Sequence, residues 1–389
     1  MNRRLVQPLT IGLVAVLVGF SSSFAVVLAG LRAVGADTAQ AASGLTILCV
    51  AQGLGTIYLS WRHRIPITLA WSTPGAALLA TQGYVTGGWP AAIGAFMVTG
   101  ALLVVTGLWG RLGKLVAAIP VSIAQAMLAG VLLPLCVAPF RALAVDPWLV
   151  APVIVTWVVL MAFAKRWATP AAFGLALVLI LVSVGRDGAL TWAAPALSFT
   201  SPTLTFAAIV SIAVPLYVVT MASQNVPGAA VMASAGYTIP WRESLLVTGA
   251  ATMAGAPAGG HAVNLAAITA ALPASPEADP DPARRWIASS ATGWGYVVLA
   301  PAVATLTVLV AAAPPGLVEA VAGLALLATL ATALAGALKH EHDRLPSAIT
   351  FVVSASGLVL GGVGSAFWAL VAGLVVRQLM ALAGGKRQA

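Results

Sequence analysis

Apolar residues run along this chain in long stretches, and short polar segments that carry most of the charge separate them. A helix that crosses a bilayer needs about 20 apolar residues at a rise of about 1.5 Å each. The pattern predicts fourteen membrane segments, of which the third and the tenth are too short or too interrupted for ordinary spans. The predicted segments are residues 8–31, 39–59, 65–82, 88–110, 115–137, 148–164, 168–185, 204–234, 241–256, 260–272, 286–312, 316–338, 345–361 and 365–383.

The composition agrees with this pattern. Hydrophobic residues make up 60% of the chain and charged residues 7%, and the mean hydropathy is +1.01. These values lie far outside the range of soluble domains. We therefore predict an all-α polytopic membrane protein with no sizeable soluble domain.

Several classes of site are not expected. The formal net charge is +9, but the basic residues stand singly or in pairs at the ends of apolar segments, which indicates membrane topology rather than nucleic-acid binding. Cys49 and Cys136 lie inside apolar runs without a partner at metal-site spacing. We expect no metal and no other cofactor.

The basic residues also predict the orientation. With a cytoplasmic amino terminus, 16 of the 19 basic residues fall on the inner side, as the positive-inside rule requires, and both termini are cytoplasmic. Arg32, Arg141 and Arg186 are the three outer ones. We therefore predict a multi-pass protein of a bacterial-type cytoplasmic (inner) membrane. The inner residues are Arg3, Arg4, Arg62, Arg64, Arg111, Lys114, Lys165, Arg166, Arg242, Arg284, Arg285, Lys339, Arg344, Arg377, Lys386 and Arg387.

Polar residues recur at matching places in the two halves. Residues 20–23 (FSSS) of the first segment are followed two segments later by the short stretch 67–75, and residues 221–225 of the eighth segment are followed two segments later by 259–264. Seven segments per half give the halves opposite orientations in the membrane, which predicts a 7+7 inverted repeat. The predicted repeats are residues 1–190 and 200–389.

The two short segments carry helix-breaking residues. Thr73 before Pro74 is typical of an N-cap with proline at the first helical position, so residues 74–82 form only half a membrane helix. Pro257 and Gly260 interrupt the tenth segment in the same way. Inversion brings two half-helix N-termini together near the midplane, where free N–H groups and positive dipole ends favour an anion.

His261 is the ionisable side chain that stands out at membrane depth, because the acidic residues within the predicted segments, Glu243 and Glu319, lie in the first four positions of their segments. Its ordinary pKa of about 6.5 suits a proton carrier. We interpret it as the coupling residue. The alternative is a neutral imidazole bonded to a neighbouring helix, with the proton entering on the acid itself.

Other polar and aromatic residues in these segments are candidates for ligand contact. The adjacent amides Gln224 and Asn225 precede Pro227 and are costly to bury without a role. Phe24 and Trp71 could stack on an aromatic ligand or serve only in packing.

The chain resembles the BenE family of benzoate/proton symporters over essentially its whole length. The resemblance is clearest at residues 67–76 (ITLAWSTPGA), 223–228 (SQNVPG) and 255–265 (GAPAGGHAVNL). This family is similar in architecture to the uracil/ascorbate and sulfate transporter group. The resemblance implies a core domain of about 1–110 and 203–312, which moves against a gate domain of about 114–188 and 314–383.

The resemblance also suggests which ligand fits. Nucleobase members of the related group contact substrate through acidic residues on the eighth and tenth segments, whereas this chain has amides and His261 there. A carboxylate suits such a site, because two acids would repel it. The predicted substrate-binding residues are Ser22, Ser23, Phe24, Trp71, Thr73, Pro74, Gly75, Gln224, Asn225, Gly260, His261 and Asn264.

These observations predict a secondary active transporter that imports benzoate or a similar aromatic carboxylate with a proton by alternating access. A passive anion channel and a transporter of another small anion or a nucleobase are the alternatives. An enzyme is not expected, because the single membrane histidine has no acidic partner or metal cluster. The expected partners are the aromatic acid, the proton and the bilayer, and a homodimer is compatible with the sequence.

Overall fold

The computed structural model describes residues 3–111, 118–186, 194–267 and 269–385, which are mostly helical. One short two-stranded sheet joins the two halves of the chain. The elements are α1 (Arg3–Ser21), α2 (Phe24–Ala33), α3 (Thr38–His63), β1 (Leu69–Trp71), α4 (Thr73–Gln82), α5 (Gly88–Leu108), α6 (Val121–Val145), α7 (Pro147–Phe163), α8 (Lys165–Arg186), α9 (Phe206–Ser234), α10 (Trp241–Gly255), β2 (Val263–Leu265), α11 (Ala271–Ala274), α12 (Trp286–Ala311), α13 (Leu317–Ala337), α14 (Arg344–Ala355) and α15 (Ser365–Gly385).

The helices confirm a polytopic membrane protein. Among the described residues, nine helices are long and apolar enough to cross a membrane, with α1 and α2 forming one of them. The shorter helices α7, α10 and α14 and the two interrupted segments lie where the other five predicted segments were placed. Lys114, Leu115, Lys386 and Arg387, on which the topology prediction also drew, lie outside the described residues.

The third predicted segment is a strand followed by a half-length helix, as expected, but its cap is one residue earlier. Ser72, not Thr73, is the N-cap of α4, and its hydroxyl accepts a hydrogen bond from the Gly75 N–H at 3.2 Å. Pro74 therefore stands at the second helical position rather than the first. The shift leaves the Thr73 hydroxyl without an intramolecular role in the cap.

The tenth predicted segment differs more strongly, because no half-helix begins at Gly260. Gly259 adopts a left-handed conformation (φ +93°), and the Gly260 N–H bonds back to the Gly255 carbonyl at 3.0 Å. The chain then runs extended through β2, and α11 has only four residues. The first segment is also interrupted, at Ser22 and Ser23 between α1 and α2, where a continuous helix was expected.

The antiparallel pairing of β1 with β2 places Ala70 opposite Asn264. Extended backbone inside a membrane must find hydrogen-bond partners within the protein. Side chains on neighbouring helices supply them: Thr56 accepts from Leu69 N–H, Thr252 from Val263 N–H, each at 2.9 Å. Two longer side chains complete the set, with Gln52 accepting from Trp71 N–H at 2.7 Å and Asn225 from Leu265 N–H at 2.9 Å.

Helix α9 widens twice, at π-helical segments Ile209–Ala213 and Met221–Asn225. Each of these segments ends two residues before a proline, Pro215 or Pro227. Proline has no N–H to donate and its ring crowds the carbonyl four residues earlier, so the helix relaxes by widening. The second widened segment contains Gln224, which lines a cavity, and Asn225, which is buried.

Two pairs of helices cross at glycines. A Cβ at Gly53 of α3 would lie 2.7 Å from the carbonyl oxygen of Gly293 in α12, and the reverse distance is also 2.7 Å. Gly100 of α5 and Gly249 of α10 repeat this relation at 2.8 Å in both directions. The backbones touch at both crossings, which fixes α3 on α12 and α5 on α10.

Residues at the predicted inner ends of the second and ninth segments meet in the structure. Glu243 accepts from the Tyr58 hydroxyl and contacts the His63 ring nitrogen, each at 2.8 Å, and it pairs with Arg62 at 3.2 Å. The two segment ends therefore lie on one side of the molecule.

Asp343 joins three elements near the carboxyl terminus. Its carboxylate is buried, accepts from the Ser122 hydroxyl at 2.7 Å and pairs with Arg377 at 2.7 Å. Burial alone would raise its pKa, but the Ser122 hydrogen bond and Arg377 outweigh this and hold the pKa below its ordinary 3.8. The carboxylate form therefore stabilises the fold.

We expect Asp343→Asn to lower the free energy of unfolding by about 2 kcal/mol at neutral pH, because a charged hydrogen-bonded group is lost. A depressed folded-state pKa contributes stability that is full above the ordinary value and is lost as pH falls through the folded value. Thermal unfolding at several pH values should show the difference between parent and variant narrowing only below about pH 3.8. Exposed Glu341→Gln is the control, and an equal loss there would contradict the assignment.

Candidate functional site

A cavity of about 510 Å³ lies between the α1–α2 break, β1, α9 and the chain after β2 on one side and α7, α8 and α13 on the other. Its described lining residues include no Asp and no Glu. They are Val18, Gly19, Ser22, Ser23, Ala70, Trp71, Thr73, Pro74, Trp157, Met161, Lys165, Arg166, Thr169, Pro170, Gln224, Ala266, Ala267, Thr269, Ala271, Leu272, Tyr296, Leu324, Ala325, Leu326, Ala328 and Thr329.

One wall of this cavity is polar. The hydroxyls of Thr73, Thr269 and Tyr296 and the amide of Gln224 line it, and none of them bonds to another residue that the structure describes. These polar atoms face the cavity and have no described protein partner, so they are available to bond to a ligand. Thr73 is also the first residue of α4, a ten-residue helix whose N-terminus carries the positive end of the helix dipole and favours an anion.

Tyr296 is held in place by its neighbours. Its ring lies 6.1 Å from the Trp71 ring in an edge-on arrangement, and a Cβ on Gly19 would come within 2.4 Å of its hydroxyl. The Trp71 indole N–H donates to the Ser23 hydroxyl at 2.7 Å, and Ser23 in turn donates to the Gly19 carbonyl at 2.7 Å. The absence of a side chain at Gly19 therefore opens the space in front of the Tyr296 hydroxyl.

The opposite wall is mainly apolar and comes from other helices. Met161 of α7 and Leu324, Ala325 and Leu326 of α13 form much of it. Thr329 adds a hydroxyl at the same wall. A flat hydrocarbon ring could bury its face here while a polar substituent faces the other wall.

Six of the twelve predicted site residues line the cavity: Ser22, Ser23, Trp71, Thr73, Pro74 and Gln224. The two serines lie at the break between α1 and α2, and Gln224 lies in the second π-helical segment of α9. The structure brings these residues together from the first, third and eighth predicted segments.

The other six predicted site residues are not among the cavity's lining residues. Phe24 packs in the core against Phe173 at 5.8 Å, and Gly75 is buried beneath the Ser72 cap. With the amide oriented so that both its atoms find partners, Asn264 accepts from Ser72 N–H at 3.0 Å and donates to the Leu265 carbonyl at 2.8 Å. Like Asn225, Asn264 forms hydrogen bonds with backbone groups at the sheet. The remaining two, Gly260 and His261, are fully buried beside the sheet.

His261 has no access to the cavity in this conformation. Its side chain is 0% exposed, and neither ring nitrogen has a hydrogen-bond partner among the described residues. The nearest aromatic ring is Phe96, edge-on at 6.3 Å, and a Cβ on Gly260 would meet Ile47 at 3.0 Å. A proton on this imidazole would have neither water nor a carboxylate to stabilise it.

Sequence reasoning missed several cavity residues. Tyr296 and Gly19 lie within apolar helices and give no local signal, since their role depends on a contact between α1 and α12. Thr269 falls in the irregular chain before α11. Lys165 and Arg166 were interpreted only as topology signals, although both line the cavity and are exposed.

A larger groove of about 920 Å³ lies on the outer surface between α1, α8 and α12. Its lining is almost entirely apolar, with Ser21 and Ser290 as hydroxyl side chains. Both hydroxyls already have protein partners: Ser21 bonds to Leu17 and Ser290 to Ser60. We therefore place the functional site in the smaller cavity. Among the described residues no group of His, Cys, Asp and Glu could hold a metal ion.

Comparisons with known proteins agree on a transporter. The family model described as BenE, benzoate membrane transport protein, matches residues 5–379. The chain is 40% identical over 367 residues to the inner membrane protein YdcO of Escherichia coli strain K12, covering 93% of each chain. It is 28% identical over 366 residues to the benzoate membrane transport protein of Acinetobacter baylyi, covering 94% of this chain and 92% of that protein.

Solved structures share the fold at low sequence identity. The transmembrane domain of the cyanobacterial bicarbonate transporter BicA aligns with a TM-score of 0.59 and 14% identity over 98% of each chain. The murine anion transporter Slc26a9 in the inward-facing state aligns with a TM-score of 0.68 and 12% identity over 99% of this chain and 69% of that one. These similarities concern architecture alone.

Proposed function

Because this chain belongs to the BenE family of benzoate membrane transport proteins, we propose that it is a secondary active transporter of benzoate or a related aromatic carboxylate. In this proposal a proton accompanies each anion, and transport proceeds by alternating access across the inner membrane. The observation that carries it is the cavity itself: an unpaired polar wall faces an apolar wall, and no described lining residue is acidic.

The two walls suggest a binding pose. The carboxylate lies at the polar wall, where Tyr296, Gln224 and Thr73 can donate hydrogen bonds to it. The aromatic ring lies between Trp71 and the apolar wall near Leu324. Hydrogen bonds to a charged group contribute about 1.5–3 kcal/mol each, so this wall favours a carboxylate over an uncharged ring substituent.

We further propose that the chain consists of fourteen segments in a 7+7 inverted repeat. The relation of α3 to α12 at Gly53 supports this, because α10 and α5 repeat it at Gly249. Three residues after each of these glycines, Thr56 and Thr252 accept hydrogen bonds from β1 and β2 respectively. Segments two and nine thus each contact another helix at a glycine and accept a hydrogen bond from a strand, one segment in each half of the chain.

The cavity lies between the two predicted moving parts. Its polar wall belongs to the proposed core domain, about 1–110 and 203–312, and its apolar wall to the proposed gate domain, about 114–188 and 314–383. Lys165 and Arg166 line its exposed end, and the orientation with both termini cytoplasmic makes this the inner side. The structure then corresponds to an inward-open state. A homodimer stays a prediction, which the mass of the detergent-extracted protein tests.

Charge explains why a proton would be carried. Anion entry into a negatively charged cytoplasm is opposed by about 2.3 kcal/mol per charge per 100 mV, whereas an anion and one proton cross without net charge. Two carriers are available: His261, or the substrate carboxyl itself. The closed surroundings of His261 favour the carboxyl, because Phe96 beside His261 and Ile47 and Gly255 beside Gly260 all lie in the same proposed core domain.

His261→Gln separates these two carriers, because Gln keeps hydrogen-bonding capacity but cannot take up a proton near neutral pH. If the proton travels on the substrate, the variant should concentrate benzoate with the pH dependence of the parent. Uptake into proteoliposomes under an imposed pH gradient measures this. Loss of accumulation with retained benzoate exchange would instead make His261 the proton carrier.

The alternative of a passive anion channel is tested by uptake kinetics. A carrier that binds one substrate at a time in this cavity should show saturable uptake of labelled benzoate, inhibited by unlabelled benzoate and not by uracil. Flux that rises linearly with benzoate concentration and stops at equal concentrations would contradict a secondary active transporter. Strong inhibition by uracil would indicate a nucleobase substrate.

A further inference from the structure

Two adjacent cations stand at the mouth of the cavity. Lys165 and Arg166 are the first residues of α8, both are exposed, and both belong to the lining that also includes Gln224 and Tyr296. No described residue of the cavity lining carries a negative charge. A ligand that enters the cavity from this end passes them first.

The position of these cations is unfavourable for the helix that carries them. The amino terminus of a helix carries a partial positive charge, which favours acidic rather than basic side chains by about 0.3–1 kcal/mol each. Helix α8 has no acidic residue in its first turn. Departures from local preference concentrate at functional sites, and here the two side chains and the helix dipole all attract an anion to one place.

One acidic side chain of the protein already contacts Arg166. The Glu277 carboxylate is 3.5 Å from the Arg166 guanidinium, and both side chains are more than half exposed, at 65% and 54%. Exposed pairs of this kind are weak and exchange readily. The backbone of Glu277 is held separately, because its carbonyl accepts from the Gln7 amide at 2.8 Å. Its side chain can therefore release Arg166 while the loop stays in place.

We propose that Lys165 and Arg166 form an anion-capture site, which binds the substrate carboxylate at the cavity mouth before it reaches Tyr296. Glu277 is the internal competitor, and the substrate displaces it from Arg166. The inference rests on the proposed function for the identity of the substrate. It assigns to these residues a role in the rate of capture, which membrane topology alone does not require.

The test is the rate of benzoate association, followed by tryptophan fluorescence after rapid mixing with the purified full-length protein. Trp157 and Trp71 line the cavity and should report occupancy. Salt is raised from about 10 mM to about 1 M, which shortens the screening length from about 30 Å to about 3 Å. Lys165→Gln and Arg166→Gln should each lower the association rate constant about 3- to 10-fold at low salt.

At high salt these variants should converge with the parent, and Glu277→Gln should raise the low-salt rate. Arg344→Gln is the matched control, because Arg344 has the same charge and pairs with exposed Glu341 outside the cavity. Equal rates and equal salt dependence for both cavity variants and the parent would overturn the capture site, as would an equal loss in the control. A parent that binds no benzoate would overturn the proposed function and this inference with it.

Discussion

Gly19→Val is expected to abolish benzoate binding, with a loss of affinity of about 100-fold or more. A Cβ at this position would lie 2.4 Å from the Tyr296 hydroxyl and 3.3 Å from a methyl group of Thr269. The added side chain would therefore displace Tyr296 and fill the space proposed for the carboxylate.

Isothermal titration with benzoate measures this loss, and thermal unfolding shows whether the variant is folded. Gly174→Val is the control, because it introduces the same side chain into a helix at a position with no atom within 4 Å of the new Cβ. Gly19→Ala tests the same contact with the smallest addition, should the larger one prevent folding. Parent-like affinity in a folded Gly19→Val protein would contradict the proposed position of the carboxylate.

The neighbouring amides Gln224 and Asn225 should respond oppositely to replacement by Ala. Gln224 faces the cavity and bonds to no described residue, so its loss should weaken benzoate binding by about 1.5–3 kcal/mol, or about 10- to 100-fold, at unchanged stability. Asn225 accepts from Leu265 N–H inside the membrane. Its replacement should lower stability by about 1–3 kcal/mol with little effect on affinity.

Binding titrations and thermal unfolding of both variants decide between these roles. Asn264→Ala should behave as Asn225→Ala does, since its amide also bonds to the backbone beside the sheet. Weakened binding at normal stability in Asn225→Ala, together with parent-like binding in Gln224→Ala, would show that the two assignments are reversed.

The span pattern could be predicted because burial in a bilayer imposes a one-dimensional signal about 20 residues long. The strand and half-helix around Pro74 could also be anticipated, since proline and glycine break helices through local sterics. The conformation of the tenth segment could not be predicted from the sequence. Its extended conformation depends on acceptors from Thr252 and Asn225, which lie elsewhere in the chain and are recognisable only after folding.

The site was predicted in part for similar reasons. Sequence reasoning singled out Gln224 and Asn225 together. Adjacent helix residues point about 100° apart, and the sequence does not show which of the two faces the cavity. His261 was selected because burying an ionisable side chain in a membrane is costly. The structure does bury His261, but away from the cavity. Tyr296 escaped notice, because a tyrosine in an apolar helix has no distinguishing local pattern.

In the proposed function, one aromatic carboxylate and one proton cross together through this cavity. Uptake of labelled benzoate into proteoliposomes, with the pH gradient and the membrane potential imposed independently, tests this coupling. We expect concentrative uptake under an inward proton gradient, no dependence on membrane potential, and loss of both binding and uptake in Gly19→Val. Uptake that follows the membrane potential and ignores the pH gradient would contradict it.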